Sequence, residues 1–211
     1  MAPQCRCQAD RACWVECSTA VRKLRTVSSS PASKPSATAN TSAITGPKKD
    51  HPGHSYGAWL AVKYALHAPQ RVSRLVLLDP TQVFAGFRPG YLLRALPLLI
   101  RPSRARAAAF LAWETTGTSP DDAWQRLYAL AATVPDRKLI AGSRPRAADL
   151  RMSVLVLLAE HSRALHASKV ADRARRTLPQ GKVVILPGAT HHSLPLTAPQ
   201  QLNEHLTAFL G

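Results

Sequence analysis

Gly53-His54-Ser55-Tyr56-Gly57 has the G-x-S-x-G spacing and runs straight into an apolar segment of helix length, Ala58 to Ala68. A serine hydroxyl is a weak nucleophile until a sharp strand-to-helix turn lifts it out of the backbone toward a base, and glycines two residues either side leave room for that turn. Ser55 is therefore the candidate nucleophile. Two histidines, His191 and His192, lie far downstream in Pro187-Gly188-Ala189-Thr190-His191-His192-Ser193. Paired histidines in a loop are more often structural than catalytic when taken alone. These two follow an apolar run that reads as a strand, and open α/β sheets keep their chemistry in loops at the carboxyl ends of strands.

The elements that must carry these residues alternate. After the first helix comes Arg71-Val72-Ser73-Arg74-Leu75-Val76-Leu77-Leu78-Asp79-Pro80, a β-branched and leucine run closed by a turn pair, as expected of a strand buried on both faces. Ser153 to Leu158 repeats that signature, a polar helix follows near Lys169 to Thr177, and Val183 to Leu186 makes a further strand. Pro199 to Leu210 reads as a closing helix. Strands alternating with helices imply a doubly wound parallel sheet, so the fold class is α/β.

From Gly53 to Gly211 the chain resembles the α/β-hydrolase family. The landmarks are the turn at Ser55, the strand RVSRLVLLDP, the strand MSVLVLLAEHS with an acid in its loop, and the loop LPGATHHSLP followed by a final helix. The family order of nucleophile, acid and histidine implies that His191 is the general base serving Ser55, with His192 as the alternative. Counting from Gly188 favours His191, whereas counting back from Ser193-Leu194-Pro195 favours His192. For the acid the resemblance points first to Glu160, the one carboxylate in the loop from Ala159 to Ala167. Asp79 competes, since some hydrolases place the acid after the strand that follows the nucleophile helix. Asp79-Pro80 also reads as an ordinary turn opener, its side chain capping its own turn. The backbone N–H of Tyr56 is the oxyanion donor the resemblance predicts.

Thr81 to Leu150 carries arginine, alanine and leucine at helical spacing and reads as an inserted helical cap. Phe84, Phe87, Trp113, Trp124 and Tyr128 are candidates for an apolar pocket lining, although aromatics at helical spacing are as often ordinary core. Residues 1–50 differ in character. Ala32 to Asp50 lacks apolar periodicity and reads as irregular or disordered, leaving 51–211 as the hydrolase-like domain with its cap at about 81–150. The family opens with several strands, a His-Gly loop that helps hold the oxyanion, and a strand feeding the nucleophile turn. Thr45 to Pro52, with two prolines and a charge cluster, reads as unable to supply that strand. On this reading the turn lacks its support and the chain is a truncated or rearranged family member.

Cys5, Cys7, Cys13 and Cys17 lack the paired C-x2-C spacing that zinc sites use, so they are expected to be reduced thiols, with neither metal nor cofactor. No apolar leader precedes them, and Leu92 to Ile100 is broken by Arg94 and Pro97, so a soluble, cytoplasmic protein with no membrane partner is expected. The net charge is +16, but residues 1 to 50 hold eight Lys/Arg against three acids and the rest twenty against nine. That dispersion predicts no specific nucleic-acid partner, only salt-sensitive adhesion to polyanions. Three functions compete: a serine hydrolase acting on small acyl substrates such as carboxylic esters through an acyl-enzyme, an inactive remnant of such an enzyme, and a basic binding protein of hydrolase ancestry.

Overall fold

The computed structural model describes residues 47–116, 122–134, 142–195 and 199–211. Four strands form one sheet: β1 (Lys49–His54), β2 (Val72–Leu78), β3 (Ser153–Ala159) and β4 (Lys182–Leu186). They lie side by side in chain order, and every neighbouring pair is parallel. Parallel neighbours need crossovers, which here are helical. Helix α1 (Tyr56–His67) joins β1 to β2, and α5 (Ala167–Thr177) joins β3 to β4. Between β2 and β3 the chain inserts α2 (Pro89–Ile100), α3 (Arg104–Glu114) and α4 (Asp122–Ala132), and α6 (Pro199–Leu210) closes the chain.

Alternation along the strands divides the core into two layers. Leu75, Leu77, Val154, Val156 and Leu158 face one side, where Ala58, Val62 and Ala65 of α1 and Val170, Ala171 and Ala174 of α5 cover them. Val76, Leu78, Leu155, Leu157 and Ala159 face the other side, where Leu202 of α6 is buried with them and Leu206 and Phe209 pack alongside. Burial on both faces explains why β2 and β3 read as unbroken apolar runs.

One expectation is overturned. A strand does feed the nucleophile turn, because β1 pairs with β2 from Lys49 to His54. The strand also begins inside the segment read as irregular. Pro52 and the charges hid it, yet they are tolerable because among the described residues β1 has a neighbour on one side only, so the proline's missing N–H breaks no second ladder there. The charges are used: Arg74 Nε of β2 donates to Asp50 Oδ1 at 3.2 Å, and its Nη1 donates to the Phe209 carbonyl of α6 at 3.0 Å. The four cysteines and most of residues 1–50 lie outside the described residues. Among the described residues, no helix is long and apolar enough to cross a membrane.

Candidate active site

Ser55 sits between β1 and α1 at φ 55° and ψ −119°, a left-handed conformation that a side chain adopts only under constraint. The constraint is visible in the backbone. Ser55 N–H donates to the Leu78 carbonyl at 2.9 Å, and the Ser55 carbonyl accepts from Ala58 at 3.2 Å and from Thr81 at 3.4 Å. The turn also presses the chain against itself. A Cβ on Gly53 would lie 2.7 Å from both the Ala58 Cα and the Gly57 carbonyl oxygen, whereas one on Gly57 would meet nothing within 4 Å. Of the two motif glycines, only Gly53 is required by close approach of the backbone.

At the end of β2, Asp79 takes φ 41°, in the left-handed region that aspartate tolerates better than most residues. Its N–H continues the ladder to the Leu157 carbonyl at 2.7 Å while its side chain turns into the protein. The carboxylate is fully buried and does not cap its own turn. Oδ1 accepts from the Ala159 N–H at 3.2 Å, and Oδ2 accepts from Ser162 Oγ at 2.7 Å and His191 Nδ1 at 2.5 Å. Burial alone would raise its pKa. The hydrogen bond from His191, that ring's charge and the bonds from Ser162 and Ala159 more than offset it and hold the carboxyl below its ordinary value.

His191 is buried in the loop after β4, which enters through Gly188 at φ 69°. Thr190 N–H donates to Ser193 Oγ at 2.8 Å and Ser193 N–H to Thr190 Oγ1 at 3.3 Å, a reciprocal clamp around the two histidines. Because a carboxylate only accepts, Nδ1 of His191 carries the proton toward Asp79, which leaves Nε2 as acceptor. Nε2 lies 2.8 Å from Ser55 Oγ. Ser55, His191 and Asp79 thus form one continuous hydrogen-bonded line from three loops at the carboxyl end of the sheet.

Glu160 is not in it. Its carboxylate is about half exposed, accepts from the Gly188 N–H at 2.9 Å and faces His161 at 3.6 Å. The loop after β3 reaches the site through Ser162 instead, two residues further on. His192 does not reach Ser55 either: its ring is packed 4.9 Å from Tyr128 and 4.9 Å from His191, and burial pushes its pKa well below the ordinary value. Tyr56 starts α1, so its backbone N–H belongs to the helix N-terminus beside Ser55.

Two more titratable residues attend the site without having been picked out from the sequence. His54 Nε2 donates to the His191 carbonyl at 2.7 Å, and burial together with the neighbouring imidazole lowers its pKa to about 4. Glu114, the last residue of α3, is fully buried and its Oε2 accepts from the His192 N–H at 3.1 Å. Burial raises its pKa, against the pull of His191 and of the loop N–H groups. Both hold the histidine loop. The only advance signal for His54 was its place beside Ser55; a glutamate closing a helix in the insertion gave none.

The aromatics expected in the insertion divide. Tyr128 touches His192, Phe87 stacks on Tyr91 at 5.5 Å, and Trp113 packs on Phe110 with Arg163 above its ring. Phe84 is core and Trp124 is partly buried. Tyr91, not among those expected, stands 6.2 Å from the His191 ring. Two open clefts, of about 670 and 440 Å³, are lined by neither Ser55, His191 nor Asp79. Among the described residues no group of side chains is arranged to hold a metal ion.

The family model described as "Alpha/beta hydrolase family" matches residues 53–205. The chain belongs to the α/β-hydrolase family. It is 26% identical over 180 residues to carboxylesterase YbfK of Bacillus subtilis (strain 168), covering 75% of this chain and 56% of that protein. The crystal structure of carboxylesterase CesB (YbfK) from Bacillus subtilis matches with a TM-score of 0.67 at 24% identity over 75% of this chain and 58% of the other. That of naproxen esterase (carboxylesterase NP) from Bacillus subtilis matches with 0.65 at 21% identity over 78% and 60%. This α/β-hydrolase chain therefore spans a little over half the length of these relatives, and the structural matches speak to its fold.

Proposed function

We propose that the protein is a serine hydrolase that cleaves carboxylic esters through an acyl-enzyme. The observation that carries this reading is the unbroken line from Asp79 through His191 to Ser55. Ser55 Oγ attacks the acyl carbon as His191 Nε2 takes its proton, and the tetrahedral oxyanion forms against the backbone N–H of Tyr56. Collapse expels the alcohol, which recovers the proton from His191. Water, deprotonated by the same nitrogen, then releases the acid. Asp79 keeps the imidazole in the tautomer that leaves Nε2 free to accept and stabilises the imidazolium in each half-reaction. The helical insertion serves as the cap, with Tyr91 and Tyr128 over the histidines. The similarity to a carboxylesterase agrees with an ester substrate.

The test is labelling with a fluorophosphonate probe followed by peptide mass spectrometry. Stoichiometric labelling of Ser55 that is lost on denaturation, and absent in Ser55→Ala, is the expected outcome. Failure of a folded sample to label, or equal esterase turnover by Ser55→Ala, overturns the reading and leaves the inactive remnant in its place.

A further inference from the structure

Helix α2 is apolar around most of its circumference but buries one side only. Tyr91, Ala95 and Leu98 face the protein. Leu92, Leu93, Leu96, Leu99 and Ile100 are all exposed, Leu93 by 71% and Ile100 by 66%. At 100° per residue these five fill one continuous arc of about 120°, adjoining the buried side. An apolar arc of this kind on a helix already packed by its other face is what an interaction surface looks like, in contrast to single scattered leucines.

Its charge surroundings select the partner. From Pro80 to Trp113 the chain contains no Asp or Glu and five arginines. Arg88, Arg101, Arg104 and Arg106 are exposed at the two ends of α2 and in the first turn of α3, and among the described residues none is ion-paired, whereas Arg94 stands across the helix from the apolar arc, over the Trp113 ring. A second copy would bring its own arginines against them. Residues 1–46 carry six Lys/Arg against two acids, so they match the surface no better. An apolar arc flanked at the helix ends by arginines that have no carboxylate partner among the described residues suits an anionic lipid headgroup layer, where the aliphatic side chains enter the acyl boundary and the guanidinium groups meet phosphates. At 12 residues the helix is far too short to span a bilayer and would lie along it.

We propose that α2 is a peripheral docking surface for anionic membranes. Docking there brings the outer side of the helix that presents Tyr91 to His191 against the lipid. This revises the expectation of no membrane partner, which rested on the absence of a spanning run.

Flotation of the full chain with vesicles tests it, using phosphatidylcholine alone and phosphatidylcholine with about one-third phosphatidylglycerol. The wild-type chain should float with the anionic vesicles and not with the neutral ones. The double variant Leu93→Ser/Ile100→Ser should bind at least about tenfold more weakly while labelling at Ser55 unchanged. Arg173→Ala/Arg176→Ala, on α5, should bind within about twofold of wild type, because it removes the same kind of charge from elsewhere. Absence of flotation, or an equal loss in the α5 variant, overturns the proposal. So does a wild-type dimer that the α2 variant converts to a monomer without any lipid binding, which would assign the face to a second copy. Ser55 labelling is read separately, so failure here leaves the hydrolase reading standing.

Discussion

Asp79 and Glu160 carry the same functional group, and position alone separates them. The spacing around Ser55 was legible because a nucleophile turn demands particular residues close together, and the count from Gly188 to His191 was legible for the same reason. The carboxylate that meets the imidazole was legible only as the second choice: Asp79 stood behind Glu160, because it reaches His191 from a different loop and the spacing does not say which loop leans inward. Ser162 shows the point further: it sits in the loop read for an acid and contributes a hydroxyl to Asp79 instead. Asp79→Asn should lower the rate of p-nitrophenyl ester hydrolysis by about 10³–10⁴-fold with the fold retained, since the amide favours the wrong imidazole tautomer. Glu160→Gln should change it by no more than about twofold. The reverse ranking in steady-state kinetics would return the acid's role to Glu160.

The elements that were legible are those with a continuous apolar run or a helical stripe, the partly buried β4 and the surface helices α5 and α6 included. β2, β3 and α1 emerge from the sequence within a few residues of their observed bounds, because continuous apolar runs and a 3.6-residue stripe have few alternative meanings. β1 was illegible because a strand at the edge of the sheet, as β1 is among the described residues, needs neither alternation nor the exclusion of proline; its sequence Lys49-Asp50-His51-Pro52-Gly53-His54 pairs with β2 through the backbone and the Arg74–Asp50 contact. That pairing is what holds Ser55 in its strained conformation, and it makes the two motif glycines unequal. Gly53→Ala should cost about 1–3 kcal/mol, because the added methyl meets backbone that cannot swing aside. Gly57→Ala, in the first turn of α1 with open space at its Cβ, should be neutral or stabilising by up to about 1 kcal/mol. Urea midpoints of the two variants check this, and equal midpoints would mean that the β1–α1 turn is not packed as described.

For the molecule as a whole, the buried groups around the site link stability to pH. His54 and His192 both have pKa values lowered by burial, that of His54 to about 4. Below pH ~6.5 the unfolded chain takes up protons that the folded one refuses, so stability falls with falling pH and keeps falling until the folded imidazoles titrate. For His54 that window runs from about pH 6.5 to about pH 4, and its contribution is on the order of 3 kcal/mol. Asp79 acts lower still: its stabilisation is complete above the ordinary aspartate value and is lost as pH falls through its depressed one. Glu114 opposes them, because a raised carboxyl pKa favours the folded state more as pH falls toward the ordinary glutamate value. His51, whose pKa burial also lowers, acts with the other two imidazoles, so the urea midpoint should decline from pH 7 to pH 4.5. A formal charge of +16 would also weaken the fold as further positive charge accumulates, and salt separates the two causes. Repulsion between surface charges is screened at high ionic strength, whereas the desolvation of a buried imidazole is not. The decline should therefore persist at high salt and become shallower in His54→Asn, which keeps a donor for the His191 carbonyl but cannot titrate. A decline that disappears with added salt would instead assign acid sensitivity to the surface arginines and lysines.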